Sequence, residues 1–298
     1  MTGKYTVNEV EERTGVPAAT LRQWERRYGF PLPERSASGY RLYGDDELRH
    51  IVAMKRYIDD GVPASRAAEM VRSEETGARG PRPMSKLRDE LVAALLELDE
   101  AQADRVVGEA HALHPLEDVV LELFRSTMLD LGQRWHDGEI NTTTEHFASS
   151  YVQGRLRQLM SLSGTNRHGP RVIVACAPHD QHEIGAMMLA VMLRREGYLV
   201  FYVGANTPVA DLAAMARDVQ PAAVMVSASS LDSVQFLLDQ RAHLDGMAPV
   251  VAFGGHGFDE DPRRAELAGG VYLGKDIPVA LKRLAELLQA VAAEGVRA

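Results

Sequence analysis

Arg171-Val-Ile-Val-Ala-Cys-Ala-Pro-His-Asp-Gln-His-Glu-Ile-Gly-Ala186 joins an apolar, β-branched run to an apolar helical pattern that continues over residues 187–196. The order places His182 in the turn that leaves a buried parallel strand and enters a helix. In an open α/β sheet the carboxyl ends of the strands are where ligands bind. The turn reads Asp180-x-His182-x-x-Gly185. A neutral imidazole is a good ligand for a late transition metal, and its other ring nitrogen needs an acceptor to fix the tautomer. Asp180 is close enough in sequence to be that acceptor. Gly185, without a side chain, lets a bulky group come near the helix start. Taken alone, such a motif more often marks an ordinary surface histidine in a strand-to-helix loop, and the further signals below reverse that reading.

Outward from this turn, short apolar runs recur at 172–177, 199–203, 223–228, 250–253 and 271–273, with helical stretches between them and a last helix from about Ile277. Five such units predict a doubly wound, five-stranded parallel sheet over residues 170–298. With a flavodoxin-like 2-1-3-4-5 order, the crevice where the chain reverses direction lies between the first and third strands. The loops there carry His182 and Ser227-Ala-Ser-Ser-Leu231. The fourth strand ends in Gly254-Gly255, whose bare backbones can line a ligand slot.

The bulk numbers narrow the class. A chain of 298 residues has room for two or three domains. A net charge of −9 does not mark a global nucleic-acid binder. The lone cysteine, Cys176, cannot form an internal disulfide, which suits a reducing cytoplasm. No apolar run approaches membrane-spanning length and the N-terminus shows no secretory pattern. The expectation is a cytoplasmic protein with no membrane partner.

Residues 1–75 read differently. Thr6 with Glu9 has capping-box spacing, Gly15 supplies a turn, and Pro17 suits the first position of a second helix. Val7, Val10, Val16 and Leu21 form the expected small core of a helix-turn-helix. The segment holds twelve basic and thirteen acidic residues, yet five arginines stand against two glutamates between Arg22 and Arg41. The positive charge is local, as a recognition helix and wing require. Leu21-Arg22-Gln23-Trp24-Glu25, Arg27-Tyr28-Gly29 and Arg41-Leu42-Tyr43 resemble the winged-helix head of MerR-family transcription regulators. The resemblance implies that Arg22, Arg26, Arg27 and Tyr28 face operator DNA from the helix, with Arg41 and Tyr43 in the wing and Trp24 in the core.

Residues 76–85 read as a tether, carrying Gly77, Gly80, Pro81 and Pro83 without apolar period. Over residues 86–165 helices are expected at 87–98, 101–113, 116–136 and 144–162, with short connections that suggest an antiparallel four-helix bundle. Trp135 and His136 end the third helix where Glu145 and His146 open the fourth. Those four residues are either a cap over a site or a Trp closing the bundle core.

The spacing Trp135-x9-Glu145-His146 resembles the helical cobalamin-binding bundle of light-sensing regulators. Asp180-x-His182-x-x-Gly185, Ser229-x-Leu231 and Gly254-Gly255 resemble the matching corrinoid-binding Rossmann-like domain. In order, the three parts resemble B12-dependent photoreceptor regulators of the MerR type. That resemblance implies adenosylcobalamin as cofactor, with His182 as lower cobalt ligand and a groove formed by the Ser and Gly positions. It implies that Trp135, Glu145 and His146 shelter the adenosyl group, and that His136 binds cobalt after light removes it. It further implies a repressor rather than an enzyme, which holds operator DNA as a dark homo-oligomer (a tetramer by resemblance) and releases it on photolysis. Two other readings stay open: a regulator that senses cobalamin or another small molecule without light, and a corrinoid methyl carrier of a methyltransferase. The DNA head speaks against the second.

Overall fold

The structure is a computed structural model and describes residues 4–35, 39–59, 62–75, 82–164 and 166–295. The chain divides into two compact units, Met1–Arg82 and Pro83–Ala298.

In the first unit, α1 (Val7–Thr14) starts on the capping box: Glu9 N–H donates to Thr6 Oγ1, and Thr6 N–H donates to the Glu9 carboxylate. It ends at Gly15, whose φ of 66° gives the left-handed cap a side chain would resist. Pro17 is the residue before α2 (Ala18–Tyr28) rather than its first position, and Ala18 N–H is capped by Glu11 from α1. Two helices follow, α3 (Asp45–Asp59) and α4 (Ala64–Glu75). The wing is wider than two strands: β3 (Arg41–Tyr43) pairs antiparallel with both β2 (Glu34–Arg35) and β1 (Tyr5–Thr6). Ser36–Ser38 of the expected wing, and residues 76–81 of the tether, lie outside the described residues.

One expectation for the DNA-facing residues is corrected. Tyr43 is fully buried, with Val10, Leu21, Trp24, Ile51 and Met54, so it does not face DNA. Alternation along β3 puts Arg41 and Tyr43 on one face. That face lies against α2, with Arg41 at the rim and Tyr43 beneath it. His50 is half-buried, with its ring 6.2 Å from Phe30.

The second unit opens with α5 (Met84–Leu96), which starts within the expected tether, directly after Pro83. Next come α6 (Glu100–Leu113), capped by Asp99, and the third rod. That rod is not one α-helix. A short α7 (Leu116–Asp118) runs into a π-helical segment, Val119–Phe124, and then α8 (Arg125–His136). The sequence pattern cannot show this, because a π turn inserts one residue without breaking the apolar run. The last bundle helix, α9 (Thr142–Leu162), is capped by Asn141.

The sheet order is β5 (Leu199–Gly204), β4 (Arg171–Cys176), β6 (Ala223–Ser227), β7 (Val250–Gly254) and β8 (Val271–Tyr272), all parallel. In chain order this is 2-1-3-4-5, the doubly wound arrangement expected. Its helices are α10 (Ile184–Arg195), α11 (Val209–Val219), α12 (Leu231–Asp239), α13 (Arg241–Leu244), α14 (His256–Asp259), α15 (Arg263–Leu267) and α16 (Ile277–Gly295). Buried Leu156, Leu159 and Met160 of α9 share one core with Met187, Val191 and Leu193 of α10 and Val172 and Val174 of β4. Each such side chain contributes about 1.5–3 kcal/mol when buried. The bundle and the sheet are therefore one hydrophobic body. Among the described residues no helix is long and apolar enough to cross a membrane.

Candidate corrinoid and DNA sites

The His182 turn follows the middle of the sheet, where β4 passes between β5 and β6. Asp180 is buried and its carboxylate organises the turn. Oδ1 accepts from the His182 backbone N–H at 3.0 Å and from Ser229 Oγ at 2.8 Å, and lies 3.1 Å from His182 Nδ1. Oδ2 accepts from the Ser229 N–H at 2.5 Å. Burial, the largest single influence, pushes the Asp180 carboxyl up, but the bonds from His182 and Ser229 together outweigh it and hold the acid below its ordinary value. An ionised carboxylate only accepts, so the proton between it and the imidazole sits on Nδ1. That leaves the Nε2 lone pair free. The His182 side chain is 81% exposed, so that lone pair is accessible.

The hydrogen bond that Nδ1–H donates to Asp180, then the charges of Asp180 and Glu145, raise the imidazole's pKa against the effect of burial. Glu145 belongs to the bundle, so the start of α9 lies close enough to His182 for its charge to be felt there. Cys176, beneath the turn, is pushed up to about 12 by burial, then by Asp180 and Glu183, and stays a thiol. Among the described residues no cluster of three or more His, Cys, Asp or Glu forms a metal cage. The turn offers one imidazole, which suits a metal already held in a macrocycle.

At the bundle end Trp135 is 48% exposed and its indole N–H donates to Thr142 Oγ1 at 3.2 Å. It does not close the bundle core. His136, next to it, is exposed. Glu145 accepts from Ser149 Oγ at 2.6 Å and lies 3.9 Å from His146 Nε2, whose ring is exposed. A half-exposed indole and exposed imidazoles at a helix junction are groups available to a ligand.

A cavity of about 380 Å³ opens at the carboxyl edge of the sheet. Its walls include Gly185 and Met188 of α10, Ser227, Gly254 and Gly255 of the strand ends, and Leu129 of α8. A Cβ on Gly185 or Gly254 would meet nothing within 4 Å, whereas one on Gly255 would come 2.5 Å from Ala228 O. Gly255 is thus required by its own turn, with φ +92°, and the other two leave room for a ligand. Ser229 and Leu231 are not among the lining residues. Ser229 turns to Asp180 and His182 instead, Leu231 starts α12 half-exposed, and Ser227 is the serine that reaches the cavity. A serine one pleat earlier carries no distinguishing sequence signal. His179 and His256 are exposed rim residues. The donor set and the bare-backbone walls fit a corrinoid, with His182 available to its metal and the cavity available to an apolar appendage.

In the first unit, Arg22, Arg26 and Arg27 are exposed along α2. Arg22, Gln23 and Arg26 line a shallow groove with Glu25 and Arg41. Arg41 Nε donates to Glu25 at 2.7 Å, which fixes the wing arginine beside the helix. Tyr28 is half-buried under the Arg27 guanidinium, 5.7 Å from its ring.

These parts define a class: a helix-turn-helix regulator joined to a helical bundle and a corrinoid-type sheet domain. Comparison with known proteins agrees. Residues 5–74 match the MerR HTH family regulatory protein model, and residues 87–160 and 170–281 match two B12 binding domain models. The HTH-type transcriptional repressor CarH of Myxococcus xanthus is 31% identical over 258 residues, covering 82% of this chain and 85% of that protein. CarA of the same organism, another HTH-type transcriptional repressor, is 31% identical over 223 residues, 74% and 75% of the two chains. The monomethylamine corrinoid protein of Methanosarcina barkeri superposes with a TM-score of 0.58 at 19% identity, over 69% of this chain and all of that one, a likeness of fold. The chain belongs to the B12-binding, MerR-type transcriptional repressors. It is a regulator, not an enzyme.

Proposed function

We propose that the protein is a light-responsive repressor that uses adenosylcobalamin as its chromophore and holds operator DNA as a dark oligomer. The observation that carries this is the Nε2 of His182, free and exposed on an Asp180-fixed ring, within the electrostatic reach of Glu145 from the bundle end. When bound, the cofactor supplies a cobalt–carbon bond that light can cleave. His182 would hold the cofactor's metal through Nε2, with Asp180 and Ser229 keeping its proton on Nδ1. The cavity at Gly185, Gly254 and Gly255 would accommodate the cofactor's nucleotide base. Trp135, Glu145 and His146 would shelter the cofactor from water at the bundle end. His136, exposed beside Trp135 at the bundle end, would be available to hold the metal once light had cleaved that bond. Arg22, Arg26, Arg27 and Arg41 bind operator phosphates and base edges.

A ligand shifts an equilibrium only through differential affinity for its two states, so the intact cofactor must favour the assembled form. Linked heads bind DNA more tightly than single ones, and disassembly releases DNA without altering a base contact. Size-exclusion chromatography with absorbance detection, in the dark and after illumination, tests this. A large dark species that separates in light with a spectral change is expected. Cofactor bound without any light-dependent change of size would mean a cobalamin sensor instead, and no bound cofactor would remove the corrinoid reading.

A further inference from the structure

Glu183 follows His182 directly, but its side chain runs into the protein and the residue is only 8% exposed. It precedes α10 as the N-cap residue and makes no capping hydrogen bond. Its carboxylate is committed elsewhere. Oε1 accepts from Arg157 Nη2 of α9 at 2.9 Å, and Oε2 accepts from Tyr202 Oη of β5 at 2.7 Å. Three elements therefore meet on one carboxylate: the bundle helix, the edge strand and the His182 turn.

The edge strand is irregular where it joins this cluster. Val174 pairs with Tyr202 but Ala175 pairs with Gly204, so β5 carries an extra residue. A bulge of this kind re-aims a side chain and is common beside functional sites. Gly204 has φ +108°, and a Cβ there would sit 3.5 Å from Glu183 Oε2. Burial and the bond to Glu183 push the Tyr202 phenol well above its ordinary value, so it stays a donor. Arg157 is largely exposed, and a surface ion pair of that kind is ordinarily weak. Here the acid is buried, and losing either donor leaves a desolvated carboxylate short of a partner.

We propose that Glu183 is a positioning residue for His182, anchoring the turn to α9 through Arg157 and to β5 through Tyr202. Movement of the bundle on the sheet is then felt at His182 through the backbone of its neighbour. α9 contains a matched cluster without this connection: Tyr151 Oη donates to Asp104 at 2.9 Å, and Arg155 pairs with the same carboxylate.

The test compares Arg157→Met and Tyr202→Phe with Tyr151→Phe as control. In the cofactor-free full chain, amide hydrogen exchange over residues 177–183 is expected to quicken about 10-fold in the first two variants, as loss of one such bond implies, and to keep its wild-type rate in the control. Arg157→Lys, which retains a donor, should restore slow exchange. A second arm rests on the proposed function: adenosylcobalamin should leave the Arg157→Met and Tyr202→Phe proteins about 10-fold faster than wild type. Unchanged exchange at 177–183 in Arg157→Met and Tyr202→Phe overturns the proposal, as does an equal rise in Tyr151→Phe. If the wild-type protein binds no cobalamin, the function falls, while the exchange measurement still decides the role of Glu183.

Discussion

His182 is held between an anionic acceptor and a serine hydroxyl, and its protonation has consequences of definite sign. Its pKa is raised in the folded protein by Asp180, so the stabilisation it contributes is full below the ordinary histidine value of about 6.5 and is lost as pH rises through the raised value. Asp180 is depressed, so its contribution is present above about 3.9 and is lost as pH falls through the lowered value. The pair stabilises the cofactor-free protein most between about pH 4 and 6.5. Denaturant melts of wild type and His182→Ala should therefore differ most near the acid end of neutrality and converge as pH rises. A difference constant across that range contradicts the pairing. Cobalt requires the neutral ring, so cobalamin affinity should move oppositely and weaken as pH drops below the raised histidine value.

At the level of elements, α2 carries the DNA prediction. Arg26 is exposed and, among the described residues, makes no ion pair, unlike Arg41, which Glu25 holds in place. Arg26→Ala should weaken operator binding and lower the slope of log affinity against log salt by about 1, as loss of one phosphate contact does. The cobalamin spectrum should not change. An unaltered salt slope, measured by titration at several ionic strengths, removes Arg26 from the phosphate contacts. Removing Arg41 is a different experiment, because it also strands Glu25 at the edge of the core.

The whole molecule contains two compact units, and both matches to B12 binding domains fall within Pro83–Ala298. A ligand stabilises the unit it binds in proportion to the logarithm of its excess over the dissociation constant. Calorimetry should resolve two unfolding transitions, and saturating adenosylcobalamin should raise only one of them. At 100 times the dissociation constant the gain is about 2.7 kcal/mol. A single transition that shifts as a whole would show that the two units unfold together.

Much of this was legible in the sequence because local rules agree with one another there. Thr6 with Glu9 specified a helix start, the β-branched runs specified buried parallel strands, and Asp180-x-His182 placed acceptor and imidazole two residues apart on one turn. What remained hidden depends on neighbours distant in sequence. Arg41 and Tyr43 share a strand face, and only the approach of α2 sends Tyr43 into the core and leaves Arg41 at the rim. The π turn at Val119–Phe124 leaves the apolar pattern intact. Ser227 reaches the cavity and Ser229 reaches Asp180 because of where β6 ends, which no spacing reveals. Glu183 gains its meaning from Arg157 and Tyr202, 26 and 19 residues away. Sequence by itself determined most of the elements, their order and the pairing of Asp180 with His182, since these follow from bonds between near neighbours. The tertiary structure alone decided which side chains meet on the buried carboxylate, because a desolvated charge is satisfied by whatever donors packing brings to it.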